Sequence, residues 1–410
     1  MPIDFERVPP RVPVPPPPRP TVIFWVILLV VTVALGTGLT IVLWPKGSPS
    51  NTLWFWCCAA LFPLLAWVFL FSVSQGIAHA RRCEVMAINH VSDRFEQERH
   101  SLAGQPLVVL GHGWCFSAED KENNVEAVLN GDIELGTRPS AAQPGTDVSA
   151  RWLEIPGEPF YAGNILVEHK RHRAVCDWLL RRLIDCVGNT LATLPVHTVL
   201  HVDVCSRSLV KSAEVQARLH ERIRAKAPTL QVKVNASDRH FSLFLVDDWH
   251  DQIKPREARL LVCLQLRKVV SVSPQNGVAE AGVVLLVAHP GIVRNAPPLH
   301  LHRPAKGKAD GKHEACDLAV RWCGADTAQV RTVWSHTLSE DVSLPVKSCP
   351  RFSKGAQRVD VGTTVGDCDG AGAWLATALA LEQAKLTRTP QLVLSHQGDD
   401  LIALACKTPT

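Results

Sequence analysis

GAGAWLATALALEQAKL, at Gly370–Leu386, is the stretch that decides the fold of the C-terminal part of this chain. It has the length of a helix, and its alanines and glycines are spread around every face. Because such small side chains let neighbouring backbones approach closely, the stretch predicts a helix buried between β-sheets. A β-prone segment precedes it at Gln357–Val365, and a closing hairpin follows at Pro390–Pro409. Together these segments predict a layered α/β domain.

Upstream of this region, strand and helix patterns alternate. Short apolar runs bounded by turn residues predict strands, and amphipathic runs predict helices. The strand segments are Gln105–Gly113, Val196–Ser206, Leu230–Ala236, Ala258–Ser273 and Gly277–Gly291. In the first of them, Gly111-His112-Gly113 is expected to be a turn that follows the strand. This order predicts one α/β domain with mixed sheets at residues 105–410.

Two uncharged apolar runs, Thr21–Trp44 and Leu53–Val73, lie near the start of the chain. Each is long enough to cross a hydrocarbon core of about 30 Å at 1.5 Å per helical residue. Only Pro45–Thr52 separates them, so they predict a transmembrane hairpin with spans at 21–44 and 53–73. Residues 1–20 form a proline-rich tail that cannot pack a core, and residues 74–104 are expected to form a charged helical stalk.

The basic residues predict the orientation of this hairpin. Three arginines precede the first span and Arg81-Arg82 follows the second, whereas the loop carries only Lys46. Because Lys and Arg stay preferentially on the cytoplasmic side, both termini are expected in the cytoplasm. The first run is too long for the apolar region of a signal peptide, and a second span follows it. The 13 cysteines include no C-x-x-C pair, which favours reduced thiols over disulfides or a zinc site.

Neither nucleic-acid binding nor a metal or cofactor site is predicted. The net charge is only +4, and no basic stretch is interleaved with aromatic residues. The densest basic cluster, HKRHR at His169–Arg173, opens a helical pattern and is expected to be a solvated helix face, with contact to anionic lipid headgroups as the weaker alternative. His300 and His302 could bind a metal, but no third ligand is close in sequence, so a half-exposed strand is preferred.

Several segments, taken in order, resemble β-ketoacyl synthases. Leu107–Gly136 resembles the opening strand, the Gly-x-Gly turn and the helix of that family. Ala315–Asp341 resembles the helix, linker and strand that lead into the family's His-Gly-Thr-Gly-Thr motif. Val359–Leu381 resembles its Lys and Gly-His segment with the buried helix that follows. The resemblance implies a thiolase-like fold with duplicated α/β/α/β/α layers, halves at about 105–288 and 289–410, and a homodimer.

The catalytic residues of that family are mostly missing at the matching positions. The family uses a nucleophilic Cys at the start of a buried helix, and the matching stretch Val234–Leu245 has no Cys. His336 matches the first motif His, and Asp367 stands where the second His would be. Thr363 or Thr364 falls near the Lys. A carboxylate would repel the charge that develops on an oxyanion. The resemblance therefore implies no catalytic residues, and it makes His336 and Asp367 vestigial positions.

A different enzyme hypothesis rests on Gly366-Asp367-Cys368-Asp369-Gly370. This G-x-C-x-G pattern lies between a predicted strand and a helix, which is the context of a nucleophile elbow with Cys in place of Ser. The chain order of that hydrolase fold then requires an acid and afterwards a His. Asp399 and Asp400 follow, but no His comes after them. The elbow hypothesis is therefore disfavoured.

The overall plan also resembles a family of membrane-anchored accessory proteins that accompany lipase effectors of the bacterial type VI secretion system. That resemblance implies a non-enzymatic adaptor at the inner membrane, with a phospholipase effector or a secretion spike protein as its partner. Two alternatives stay open. One is an acyl-thioester binder or residual acyltransferase that uses an apolar pocket beside His336. The other is a structural subunit of a membrane complex, held together by the small residues of the hairpin: Gly36, Gly38, Ala59 and Ala60.

Overall fold

The computed structural model describes residues 8–237, 241–292, 299–308, 312–336, 338 and 355–409. The chain divides into two compact units. The N-terminal unit ends at His100, and the C-terminal unit begins at Ser101.

Two long helical rods make up most of the N-terminal unit. The first rod is α1 at Val22–Leu43. The second contains α2 at Leu53–Trp56, a π-helical turn at Cys57–Leu61 and α3 at Phe62–Ala103. Both rods are long and apolar enough to cross a membrane, as the two apolar runs predict. The predicted boundary between the second span and the stalk, at residues 73 and 74, lies inside α3, which is a continuous helix of 42 residues.

The two rods contact each other through small, polar and aromatic residues. The Thr37 hydroxyl donates a 2.8 Å hydrogen bond to the Ala59 carbonyl oxygen on the other rod. Gly36 lies against Pro63, and a Cβ added to Gly36 would overlap the proline ring. By contrast, no atom lies within 4 Å of a Cβ added to Gly38. Gly36 and Ala59 therefore lie at the contact between the two rods, where the close approach of the helices requires small residues.

The proline-rich tail runs back along α3. The side-chain amide of Asn89 pairs with both backbone polar groups of Val12, at 2.8 Å each. The Arg11 guanidinium contacts Asp93 at 2.9 Å and Glu96 at 3.0 Å. Because residues 89, 93 and 96 are spaced by about one helical turn, they share one face of α3. The tail therefore lies on a single polar face of that helix.

The C-terminal unit alternates strands and helices. In chain order these are β1 (Leu107–Cys115), α4 (Val125–Asn130), β2 (Thr137–Pro139), β3 (Asp147–Ser149), α5 (Ile165–Thr193), β4 (Val199–Arg207), α6 (Ser212–Lys226), β5 (Gln231–Ser237), α7 (Leu245–Gln252), β6 (Glu257–Gln265), β7 (Ala281–Ala288), β8 (Leu299–Leu301), β9 (Ala305–Lys308), α8 (Lys312–Trp322), β10 (Thr332–His336), β11 (Gln357–Asp360), α9 (Val361–Thr364), α10 (Gly372–Thr387), β12 (Gln391–Gln397) and β13 (Asp400–Lys407).

The main sheet is an internal duplication. The first half has the strand order β1-β7-β6-β4-β5, and the second half has the equivalent order β8-β13-β12-β10-β11. In each half, the first three strands pair antiparallel and the last three pair parallel. An antiparallel β1–β8 pairing joins the halves, and β9 adds to β13. This topology confirms the predicted α/β class with a duplicated sheet.

Helix α10 lies in the middle layer, as its small side chains predict. Ten of its 16 residues are buried. Strand β7 shows how the layers alternate, because successive side chains on a strand point to opposite faces. Val283 and Leu285 join the core that contains α10, whereas Val284 and Leu286 join the core that contains α5. The helices thus cover both faces of the sheet, with α7 and α10 inside and α5 and α6 outside.

The expectation of a turn at Gly111-His112-Gly113 is wrong. These residues lie inside β1, where the pairing with β7 is shifted by a bulge between Val109 and Gly111. A Cβ added to Gly113 would lie 2.7 Å from the Cβ of Cys186 on α5. The glycine is therefore needed because α5 packs closely on the strand, and not because the chain turns there.

The expectation of a solvated face at His169–Arg173 is wrong for Arg171 and His172, which are 1% and 2% exposed. The Arg171 guanidinium lies 2.6 Å from the Glu280 carboxylate on the strand side of the core. Glu168 accepts hydrogen bonds from the backbone of Val269, Val270 and Ser271. This buried ion cluster fixes the start of α5 to the segment that follows β6.

Candidate functional site

A cavity of about 410 Å³ lies where β10 and β12 end and where α7 and α10 begin. Its position follows from the fold, because the ends of parallel strands and the starts of the following helices meet at one edge of the sheet. The lining residues are Phe241, Ser242, His336, Asp367, Asp369, Gly370, Ala373, Ser395, His396, Gln397 and Gly398. The structure thus brings together His336 and Asp367, the two positions that the sequence resemblance singles out.

His336 and Asp367 form a close pair. The imidazole Nε2 lies 3.3 Å from a carboxylate oxygen of Asp367. The hydrogen bond with His336 lowers the pKa of Asp367 and outweighs burial, which acts in the opposite direction. The backbone of Asp367 is fixed on both sides, since its N–H donates to the Gly277 carbonyl and its own carbonyl accepts from Ala279. The carboxylate is therefore held, ionised, against the imidazole.

Gly372 makes room for this pair at the start of α10. A Cβ added there would come closer than 3.0 Å to three atoms of the His336 ring. The ring is almost fully buried, with a side-chain exposure of 7%. The absence of a side chain at residue 372 therefore allows the imidazole to lie directly on the first turn of the central helix.

The start of α7 forms the opposite wall of the cavity. The Ser242 hydroxyl accepts a hydrogen bond from the Phe244 backbone N–H at 3.1 Å. The Phe241 carbonyl accepts from the Trp374 indole at 2.7 Å. Trp249 packs against Trp374 with the ring centroids 5.7 Å apart, and both side chains are buried. These two indoles occupy the middle layer between α7 and α10.

No cysteine is among the described residues that line this cavity. Val234–Leu245, the stretch that matches the nucleophile segment, crosses from β5 to α7, and its residues 238–240 lie outside the described part of the chain. Cys368 of the G-x-C-x-G pattern is fully buried and faces the core. Burial raises the pKa of its thiol to about 12. A thiol with such a pKa is a poor nucleophile at neutral pH.

The other residues considered from the sequence lie apart from the cavity. Thr363 and Thr364 donate their hydroxyl hydrogen bonds to the Asp360 carbonyl. His302 is 3% exposed, and burial lowers its pKa to about 3. Its ring centroid lies 6.2 Å from that of His300. Within the described residues, no group of three side chains is arranged to hold a metal ion.

The sequence reasoning missed His396 and Asp369 as members of the cavity. His396 follows Ser395, which pairs with His336 across the parallel strands β10 and β12. The signal was present in the sequence, because both histidines end predicted strands. The strand order that makes those ends neighbours is a property of the fold and cannot be read locally.

The comparisons with known proteins define the class of fold. No protein-family model matches the chain, and no curated protein matches it. Among solved structures, the ishigamide ketosynthase/chain length factor is 15% identical with a TM-score of 0.52, covering 75% of this chain and 100% of that one. The PfaC keto synthase-chain length factor is 11% identical with a TM-score of 0.52, covering 75% of this chain but 43% of that one. The C-terminal unit therefore has a thiolase-like fold, and at this identity the likeness concerns the fold alone.

Proposed function

We propose that this protein is a non-enzymatic adaptor, tethered to a membrane, whose thiolase-like domain recruits a protein partner. The observation that carries this proposal is the His336–Asp367 pair, with its 3.3 Å separation, in the cavity at the start of α10. Condensing chemistry requires a thiolate and hydrogen-bond donors that stabilise an oxyanion. The described lining offers a carboxylate beside the imidazole and a second one at Asp369. Both would repel the developing negative charge.

The proposed partner is a phospholipase effector or a secretion spike protein at the bacterial inner membrane. The resemblance to type VI accessory proteins and the two helices long enough to span a bilayer support this location. The contact between Arg11 and Asp93 supports placing the tail and the end of α3 on the same side of the bilayer. The basic flanks of the hairpin support the cytoplasmic side for both termini.

A ligand-binding or residual enzymatic role is the second candidate, because the cavity beside His336 is open and holds Ser242 and His396. An acyl chain requires an apolar pocket. The lining is instead rich in polar groups, and the Trp249 and Trp374 indoles fill the layer behind it. A small polar ligand fits this cavity better than an acyl thioester does.

The test is a crosslinked pull-down of the full-length protein from its native membrane, analysed by mass spectrometry. Recovery of a lipase-like toxin or a spike component is the expected result. The variants His336→Ala and Cys368→Ala should recover the same partner and deliver the toxin normally, because the adaptor role needs neither side chain for chemistry. Loss of delivery by either variant at normal protein levels would reject the non-enzymatic role. Recovery of a bound small polar ligand or an acyl thioester, without any protein partner, would favour the second candidate.

A further inference from the structure

A surface depression away from the His336 cavity lies beside the Glu154–Phe160 segment, and we refer to it as the Glu154–Phe160 groove. Its volume is about 570 Å³. The segment is stiff, because two prolines restrict it and Ile155 and Glu158 bridge across a turn at Gly157 (φ +80°). The lining residues are Ala118, Glu119, Ala141, Trp152, Glu154, Ile155, Pro156, Gly157, Glu158, Pro159, Phe160, Arg171 and Val270. A preformed, mainly apolar groove of this size can accept a side chain from a partner.

Exposed apolar residues gather at the edge of this groove. In the described part of the C-terminal unit, seven large apolar side chains are exposed: Leu102, Tyr161, Ile165, Leu166, Val196, Val272 and Leu386. Four of these seven follow lining residues of the groove in the chain: Tyr161, Ile165 and Leu166 come after Phe160, and Val272 comes after Val270. A 2.9 Å hydrogen bond from the Gly163 N–H to the Val270 carbonyl joins these two stretches of the chain. Tyr161 is the only tyrosine of the chain and is 74% exposed. Such clustering of exposed apolar side chains marks an interaction surface.

The groove has a negative rim. Glu119, Glu154 and Glu158 line it, and all three are exposed. Arg171 is the one cation in the described lining, and its charge is already balanced by Glu280 inside the core. Glu154 is paired with Arg138, so Glu119 and Glu158 supply the negative charge that an approaching partner meets.

The chain already shows how a guanidinium binds at this place. The guanidinium carbon of Arg138 lies 3.0 Å from the centroid of the Trp152 ring. The same side chain contacts the Glu154 carboxylate at 3.4 Å. An arginine is thus held by an aromatic face together with a carboxylate, which is a favourable combination for a cation. Phe160, whose ring centroid lies 6.0 Å from the Arg171 guanidinium carbon, lines the groove together with the exposed carboxylates of Glu158 and Glu119.

We propose that the Glu154–Phe160 groove is the docking surface for the protein partner, and that the partner inserts an apolar side chain flanked by Lys or Arg. This inference rests on the adaptor role proposed above and adds the face and the chemistry of recognition. The apolar anchor fills the groove beside Phe160, and the basic groups face Glu119 and Glu158. Rim charges mainly control the rate and the salt dependence of association, whereas the buried anchor controls the lifetime of the complex.

The first test places a photocrosslinking amino acid, benzoylphenylalanine, at Tyr161 of the full-length protein in its native membrane. The matched control carries the same amino acid at Val196, which is 66% exposed but adjoins no lining residue of the groove. Crosslinking to one partner at Tyr161 and not at Val196, through a peptide with an apolar residue next to Lys or Arg, is the expected result. A crosslinked peptide without basic residues would overturn the assigned chemistry.

The second test measures partner recovery with the charge reversals Glu119→Lys and Glu158→Lys combined. Recovery should fall about tenfold or more, because each rim carboxylate then repels the basic partner. The control, with Asp132→Lys and Glu221→Lys combined, reverses two other exposed acids and should recover the partner normally. Equal recovery by both double variants would overturn the docking surface but leave the adaptor role intact. If the unaltered protein recovers no partner at all, the adaptor role fails, and this inference fails with it.

Discussion

Replacement of Gly372 by alanine is the sharpest test of the geometry at the His336 cavity. The new Cβ would come inside 3.0 Å of three ring atoms of His336, a distance that real Cβ atoms essentially never show. To restore van der Waals contact near 3.5–4.0 Å, the imidazole has to move by about 1.5–2 Å. The ring is 7% exposed and sits at the end of β10, so the displaced imidazole would be pushed into the cavity that it lines.

The expected net effect is a loss of about 1–2 kcal/mol of unfolding free energy. Overpacking a filled site costs about 1–3 kcal/mol. Alanine recovers up to about 1 kcal/mol of helix propensity relative to glycine, and less at the first residue of a helix such as α10. The displaced imidazole should also lose its 3.3 Å contact with Asp367. The pKa of Asp367 should then rise, because that hydrogen bond is the main cause of its lowering.

The assay is urea unfolding of the full-length protein in detergent, followed by tryptophan fluorescence. Gly136→Ala is the control, since a Cβ there meets no atom within 4 Å. His336→Ala removes the obstructing ring. In a protein that already carries His336→Ala, the further substitution Gly372→Ala should therefore change the free energy of unfolding only slightly. A coupling energy of about 1 kcal/mol or more between the two substitutions is expected for residues in contact. If Gly372→Ala lowers the free energy of unfolding equally in the presence and in the absence of the His336 side chain, the proposed packing is refuted.

Three further outcomes follow from other contacts. Glu280→Gln should lower the unfolding free energy by up to about 3 kcal/mol in the same urea assay, because it removes the nearer of the two carboxylates that balance the buried Arg171 charge and leaves Glu168 at 3.5 Å. Burial alone would raise the pKa of Glu168, but hydrogen bonds from its neighbours lower it from 4.5 to about 2. Its ionised form therefore stabilises the fold above pH 4.5, and this contribution should disappear as the pH falls towards 2. Glu168→Gln should abolish that part of the stability–pH curve, measured by thermal unfolding. Gly36→Leu should open the hairpin and lower the yield of folded protein in detergent on size-exclusion chromatography, whereas Gly38→Leu should behave normally.

The sequence contained enough to predict the layered fold, and the reasons are local. An alanine-rich helix with buried residues on all faces is typical of a middle layer, and the structure places α10 there at Gly372–Thr387. The two apolar runs predict two helices that can span a bilayer, and both are present. Their function as spans and the orientation of the hairpin stay predictions.

The predictions from the sequence were wrong or incomplete where a residue contacts a partner that is far away in the chain. Gly113 suggested a turn, but its role is to admit Cys186 of α5, which only the packing of helix on strand reveals. Arg171 suggested a solvated face, but its partner Glu280 is 109 positions away. His396 joins the cavity because β12 lies beside β10. Pairings of this range leave no local period, so no pattern of apolar residues can indicate them.

The pairing of β1 with both β7 and β8 has a consequence for the synthesis of this protein. About 165 residues separate the end of β1 from the start of β7, so at 5–20 residues per second β1 waits roughly ten to thirty seconds for its neighbour. The apolar hairpin leaves the ribosome before β1, so the nascent chain is expected to be anchored in the membrane while this strand is still unpaired. An unpaired apolar strand is prone to aggregate, so β1 is expected to need protection by a chaperone until β7 has been made.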